Sequence, residues 1–207
     1  MIDDWSSFGQ RTTASGTVLL DRVKVPKTYL VPGYKGYDHP TADGPIFKII
    51  QAAVDAGIAR AALDETIGFV RTKSRPWVDS GLDHAWQDPY TIQAVGDLRL
   101  RLNAAEALLE KAGVAVDRAV AEPSAETVAA AQIAVAESKV LTTEIAIAAT
   151  NKLFELAGTR STLGEHNLDR HWRNARTHTL HDPVRWKYAI LGNYYLNGIN
   201  PPLHAWS

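Results

Sequence analysis

The stretch Pro45-Ile46-Phe47-Lys48-Ile49-Ile50-Gln51-Ala52-Ala53-Val54-Asp55-Ala56-Gly57-Ile58-Ala59-Arg60-Ala61 decides the fold. Ile46, Ile49, Ile50, Ala53, Val54, Gly57, Ile58 and Ala61 recur at i, i+3 and i+4, the spacing of one face of an α-helix, and this stripe is the expected core face. The helix is expected to run to about Val70, with Pro76 as its stop. A second helix starts at Asp88-Pro89, a side-chain acceptor followed by proline at the first helical position. Its stripe is Ile92, Val95, Leu98, Leu102, Ala105, Leu109, Ala112 and Val116. Pro123 ends it and Ser124 caps a third helix, with Val128, Ala131, Val135, Leu141, Ile145, Ala148 and Leu156 facing inward and Gly158 at the C-terminal end. Residues 104–150 hold 16 Ala, so the helix backbones can approach closely. A fourth helix is expected from the same Asp-Pro signal at Asp182-Pro183, closing at Gly198.

Upstream of this helical part the character differs. Thr17-Val18-Leu19-Leu20 and Val23-Lys24-Val25 are short, β-branched and bounded by turn residues, which predicts two strands. Two strands alone are not stable in water, so they need a partner. The run from Leu30 to Pro45 is rich in Pro and Gly and marks a boundary. The expected architecture is mainly α: a four-helix up-down bundle over residues 44–207, preceded by a short β remnant and linker over residues 1–43.

Composition narrows the chemistry. The chain has 207 residues, 22 Lys+Arg against 23 Asp+Glu, and no Cys. The absence of Cys removes thiol catalysis, iron–sulfur clusters and Cys-ligated zinc. A net charge of −1 argues against nucleic-acid binding. No apolar run reaches the ~18 residues of a membrane span, and the N-terminus carries no secretion signal, so a cytoplasmic location is expected. Walker, G-x-G-x-x-G and G-x-S-x-G motifs are absent from the sequence.

Two segments break the amphipathic pattern. Arg71-Thr72-Lys73-Ser74-Arg75-Pro76-Trp77 sets three cations at a helix end. They either complement the helix dipole or clamp a phosphate. The segment from Arg170 to Pro183 carries three His, three Arg and one Trp in 14 residues. His178, His181 and Asp182, joined by His166 or His171, have the composition of a weak metal site. Asp182 alternatively caps the last helix while the Arg residues pair with Glu165 and Asp169. A third reading has His178 and His181 donating hydrogen bonds to a bound group in a pocket walled by Trp172 and Trp186.

These segments carry a resemblance. Residues 4–17, running into Leu20-Asp21-Arg22-Val23-Lys24-Val25-Pro26, resemble the end of the middle β-domain in the acyl-CoA dehydrogenase superfamily. The Ala-rich helices resemble that family's C-terminal bundle. Arg173-Asn174-Ala175-Arg176-Thr177-His178-Thr179-Leu180-His181-Asp182-Pro183, supported by Arg71 to Trp77, is similar to one branch: the flavin-dependent monooxygenases of the dibenzothiophene monooxygenase type and the sulfur-acquisition oxidoreductases.

The resemblance implies a homotetramer holding a flavin between β-domain and bundle. It further implies reduced FMN delivered by a separate NAD(P)H flavin reductase, a flavin C4a-hydroperoxide, and a small organosulfur substrate. His181, His178 and Asp182 are the catalytic positions it points to. Ser15, Lys73, Arg75, Gly158 and Arg160 are those expected around the flavin and its phosphate, and no metal is implied. Dehydrogenases of the family use FAD and many carry a catalytic Glu where this chain has His181-Asp182. An FAD-dependent acyl-CoA dehydrogenase is therefore the alternative enzyme, and a non-catalytic helical assembly fragment the alternative outside enzymes. Family members are longer, so the chain is expected to be truncated or one product of a split gene, and to bind flavin weakly alone.

Overall fold

The computed structural model describes residues 1–13 and 15–204. Its framework is three long helices, α1 (Asp43–Thr72), α2 (Pro89–Ala121) and α3 (Ala125–Ala157), followed by a short α4 (Asp169–His178) and α5 (Arg185–Asn197). Cross-helix pairs fix their directions. Arg60 bonds Glu106 and Arg99 bonds Asp64, so α1 and α2 run antiparallel. Asp55 meets Lys139 and Ser74 meets the Ala157 carbonyl, so α1 and α3 run parallel. Tyr188 bonds Glu144 and Tyr195 bonds Glu137, so α5 runs back along α3. The expected up-down bundle of four helices is therefore formed, with α5 as the fourth member and α4 as an extra helix laid on α1 and α3. Among the described residues no helix is long and apolar enough to cross a membrane.

Local signals explain the boundaries of the long helices. The Asp88 carboxylate accepts the Tyr90 N–H at 2.9 Å, and the Ser124 hydroxyl accepts the Thr127 N–H at 3.1 Å. Gly158, with φ 76°, ends α3 in a conformation that side chains with a Cβ rarely adopt. Small residues let the helices approach: Ala59, Ala62, Ala105, Ala112, Ala131 and Ala146 are fully buried. Leu63, Leu102, Ile145 and Leu153 fill the space between them. Helix α3 lies at the centre and is buried on most of its circumference.

Three expectations are corrected. First, α1 buries a different face from its apolar stripe. Lys48, Ala52, Asp55, Ala56, Ala59, Ala62, Leu63 and Thr66 point inward, whereas of the stripe Ile50 and Val54 are 54% and 38% exposed and Ile46, Ile49 and Ile58 pack only partly buried at the edge of the core. The inward face carries two charged residues that find buried partners on other elements, and this tertiary pairing outweighs the local stripe. Second, residues 17–20 and 23–25 form no strand; among the described residues there is one isolated antiparallel bridge, Ile2 to Thr17. The segment has no sheet to join, so Val18, Leu19, Leu20 and Val23 stay exposed. Third, Asp182 does not cap the last helix, which starts at Arg185 without a side-chain cap. The Asp182 carboxylate is drawn inward by two lysines.

Candidate functional site

The N-terminal segment lies across α4 and builds the first cavity. Gln10 donates its N–H to Asn174 Oδ1 at 2.8 Å, and Arg173 Nη1 donates to the Phe8 carbonyl at 3.2 Å. The Phe8 ring stacks on Trp172 with centroids 5.7 Å apart. Gly9 permits the approach, because a Cβ there would stand 1.9 Å from the Arg173 carbonyl oxygen. Between this segment and the end of α4 lies a cavity of about 610 Å³, whose lining includes Trp5, Phe8, Ser15, His178, Leu180 and His181. Three of the expected site residues, Ser15, His178 and His181, thus meet. Neither expected wall lines it: Trp186 is exposed and Trp172 stacks behind Phe8, so Trp5 and Phe8 are the aromatic walls instead.

Behind the two imidazoles stand buried charges. His178 Nδ1 is 2.6 Å from Asp55 Oδ1. The other oxygen of Asp55 accepts from Lys139 Nζ at 2.6 Å and from Thr143 Oγ1 at 2.9 Å, and both Asp55 and Lys139 are 0% exposed. Burial pushes the Asp55 carboxyl up, but the hydrogen bond from His178 and the Lys139 ammonium outweigh it and hold the pKa below the ordinary carboxylate value.

Asp182 forms a second group with Lys48 Nζ at 3.1 Å and Lys187 Nζ at 3.4 Å. One carboxylate here serves two ammoniums. Burial raises the Asp182 pKa, yet the Lys187 and Lys48 cations bring it below its ordinary value. Lys187, facing burial and the like charge of Lys48, is lowered despite Asp182. His181, exposed at the mouth of the cavity, is also lowered, first by partial loss of water and then by Lys48 and His178. Of the charges around it, Lys48, His178 and Lys139 oppose protonation of His181, and Asp182 favours it. Asp182 does not line the cavity; it anchors the turn that carries His181.

A second cavity of about 780 Å³ lies where α1 and α3 end, and its lining includes Lys73, Arg75, Trp77, Tyr90, Gly158 and Arg160. Four of the five expected cofactor-binding residues meet there, while Ser15 lies in the first cavity; the two cavities share no lining residue. Gly158 turns the chain out of α3 and delivers Arg160, whose Nη1 donates to the Lys73 carbonyl at 3.4 Å. Three cations from two segments on one open cavity suit a phosphate, and a cavity with aromatic walls suits a flat ring system. Arg71 is not part of this group; its guanidinium lies over the Trp86 ring at 5.6 Å.

The remaining histidines go elsewhere. His171 lies 3.2 Å from Glu65, and His166 lies 3.4 Å from Lys73 Nζ. Among the described residues no three His, Asp or Glu side chains are arranged to hold a metal ion. The expected pairing of Arg173 with Asp169 is present at 2.7 Å, whereas Arg170 pairs with Glu65 on α1 rather than with Glu165. Sequence reasoning missed Lys48, Asp55, Lys139, Thr143 and Lys187. The signal available was Lys139, the only cation between Arg118 and Lys152, in the Ala-, Val- and Ile-rich run of α3, a charge that a buried helix carries only when paired.

The chain belongs to the family described as acyl-CoA dehydrogenase, C-terminal domain, which matches residues 49–186. Within it, the chain is similar to the dibenzothiophene monooxygenase of Mycolicibacterium goodii, 36% identical over 206 residues that cover 94% of this chain and 49% of the relative. It is also similar to the probable FMNH2-dependent monooxygenase SfnC of Pseudomonas putida, 33% identical with 96% and 52% covered. Among solved structures, TdsC from Paenibacillus sp. A11-2 in complex with FMN and indole superposes with a TM-score of 0.93 at 32% identity, covering 99% of this chain and 54% of that one. The chain thus spans about half the length of the curated relatives it matches.

Proposed function

We propose that this chain is the C-terminal portion of a flavin-dependent monooxygenase acting on small organosulfur compounds. The observation that carries this reading is the convergence of Ser15, His178 and His181 on one aromatic-walled cavity. The similarity to monooxygenases that use reduced FMN supports the cofactor, and a separate NAD(P)H flavin reductase is its supplier in this reading. Bound reduced flavin supplies the activation of dioxygen and the transfer of one oxygen atom. Lys73, Arg75 and Arg160 hold a phosphate, with Gly158 shaping the loop, and Ser15 lies beside the flat ring. His181 and His178 hydrogen-bond the reacting groups, and Trp5, Phe8 and Leu180 supply the apolar wall beside them. Asp182 supports His181 from behind through Lys48 and Lys187. Residues 1–43 belong with a β-domain and residues 44–207 form the helical domain. The functional unit is a homotetramer, in which the separate cation and imidazole cavities serve flavins shared between copies.

The test is titration of the chain with FMN at high concentration, read at the imidazole resonances of His178 and His181. Both rings are expected to shift, with weak affinity for the chain alone. Rings that stay unmoved by FMN but respond to FAD together with an acyl-CoA would overturn the monooxygenase reading in favour of a dehydrogenase.

A further inference from the structure

Asp55 does not line the imidazole cavity, yet it is fully buried and reaches His178 from behind. An ionised carboxylate only accepts hydrogen bonds, so the ring nitrogen 2.6 Å from its Oδ1 carries the hydrogen. In a neutral imidazole the other nitrogen is then bare and acts as an acceptor. Lys139 and Thr143 occupy the second carboxylate oxygen, which keeps Asp55 ionised and fixes its plane. His178 is held between this carboxylate and the cavity with its side chain 13% exposed.

We propose that Asp55, fixed by Lys139 and Thr143, is a positioning residue that locks His178 in the Nδ1–H tautomer, so that its Nε2 accepts a hydrogen from the bound ligand. The two histidines therefore differ in role. His178 selects a ligand group that carries an O–H or N–H hydrogen, rather than acting as a second donor beside His181. This rests on the reading above only in that the cavity is where the ligand binds; the hydrogen on Nδ1 follows from buried contacts within the chain.

The experiment is nitrogen-15 NMR of the histidine rings of the full 207-residue chain at neutral pH. His178 is expected to show a protonated Nδ1 and a bare Nε2. In the double variant Asp55→Val with Lys139→Met, which removes the acceptor without stranding a buried charge, the Nε2–H form is expected to predominate. A wild-type ring with the hydrogen on Nε2 would overturn the proposal, and so would an unchanged Nδ1–H ring in a folded double variant. If the variant fails to fold, the wild-type tautomer decides alone. The flavin reading is tested separately: indole, whose N–H can donate to Nε2, is expected to shift the Nε2 resonance in the wild type and to do so several-fold more weakly in the double variant. FMN titration that fails while the tautomer is as stated would leave the positioning role standing and remove the monooxygenase reading.

Discussion

The two cavities are built on opposite principles. Around His178 and His181 the charged groups are buried and hold one another: Asp55 with Lys139, and Asp182 with Lys48 and Lys187. Around Gly158 the cations Lys73, Arg75 and Arg160 are exposed, with no carboxylate paired to any of them among the described residues. The first region is fixed from within the chain, and its geometry is part of the folding free energy. The second is a surface whose cations hold only neutral partners, add little to the fold and can meet an anion. Substitutions in the first should therefore act on stability, and those in the second on binding.

The largest effect is expected from Lys139→Met. It leaves Asp55 ionised in a fully buried site, an arrangement that costs about 3–5 kcal/mol when a buried pair loses one partner. Urea unfolding should show that loss, and adding Asp55→Val to the same chain should restore most of it. A loss below about 1 kcal/mol for the single variant would mean that water reaches the pair and that the cavity is not fixed from within.

Asp88 and Asp182 sharpen the contrast, because the sequence gives them the same Asp-Pro context. At Asp88 the carboxylate caps α2 through the Tyr90 N–H, and Asn caps about as well as Asp. Asp88→Asn should change stability by no more than a few tenths of a kcal/mol. At Asp182 the same substitution removes the charge that two buried ammoniums require, and a loss of about 3 kcal/mol is expected. Equal effects at both sites would return Asp182 to the role of a cap.

That pair also shows what could be read in advance. The caps at Asp88 and Ser124, the stop at Gly158 and the inward stripes of α2 and α3 follow from local rules, and the structure keeps them except at Ile92, which is exposed. His178 and His181 were visible as a cluster that an ordinary loop does not need. The buried face of α1 was not legible, because it is decided by Asp55 meeting Lys139, 84 positions away. Hydrophobic period cannot register a charge neutralised by a distant partner. The separation of Ser15 from Lys73, Arg75, Gly158 and Arg160 was hidden for the same reason: spacing along a chain does not state which helix end faces which loop.

Gly9 holds the wall of the imidazole cavity in place. Gly9→Ala places a Cβ 1.9 Å from the Arg173 carbonyl oxygen, so the N-terminal segment has to move off α4. A loss of about 1–3 kcal/mol is expected from such overpacking. Limited proteolysis should show faster cleavage within residues 1–17 while α1 to α3 stay intact. Unchanged protection of the segment would mean that the wall does not depend on this contact.

The same contrast extends to pH. Burial, with help from Arg170, outweighs the hydrogen bond to Glu65 and lowers the His171 pKa, and His181 is lowered as described. A base whose pKa is lower in the folded state disfavours folding when protonated. Stability is therefore full above about pH 6.5, the unfolded value, and declines as the pH falls below it. Asp55 and Asp182 have lowered pKa values, so their contribution is present above about pH 4 and is lost on further acidification. Unfolding midpoints taken from pH 7.5 to 3 should fall in these two stages, and His171→Asn should flatten the first. Midpoints that rise on going from pH 7 to 5.5 would contradict the lowered pKa values of His171 and His181.

The smallest change in stability, within about 0.5 kcal/mol, is expected from Arg75→Ala and Arg160→Ala, since exposed cations without a paired carboxylate add little to the fold. Their effect belongs to ligand binding. Each is expected to weaken FMN affinity at low salt on the order of fivefold, about 1 kcal/mol for an exposed charge-assisted hydrogen bond, and the difference should shrink as salt is raised. Riboflavin, which lacks the phosphate, should bind both variants as it binds the wild type. If riboflavin affinity falls in parallel with FMN, the cations contact the ring system instead, and the division into a phosphate-holding and a ring-facing region does not hold.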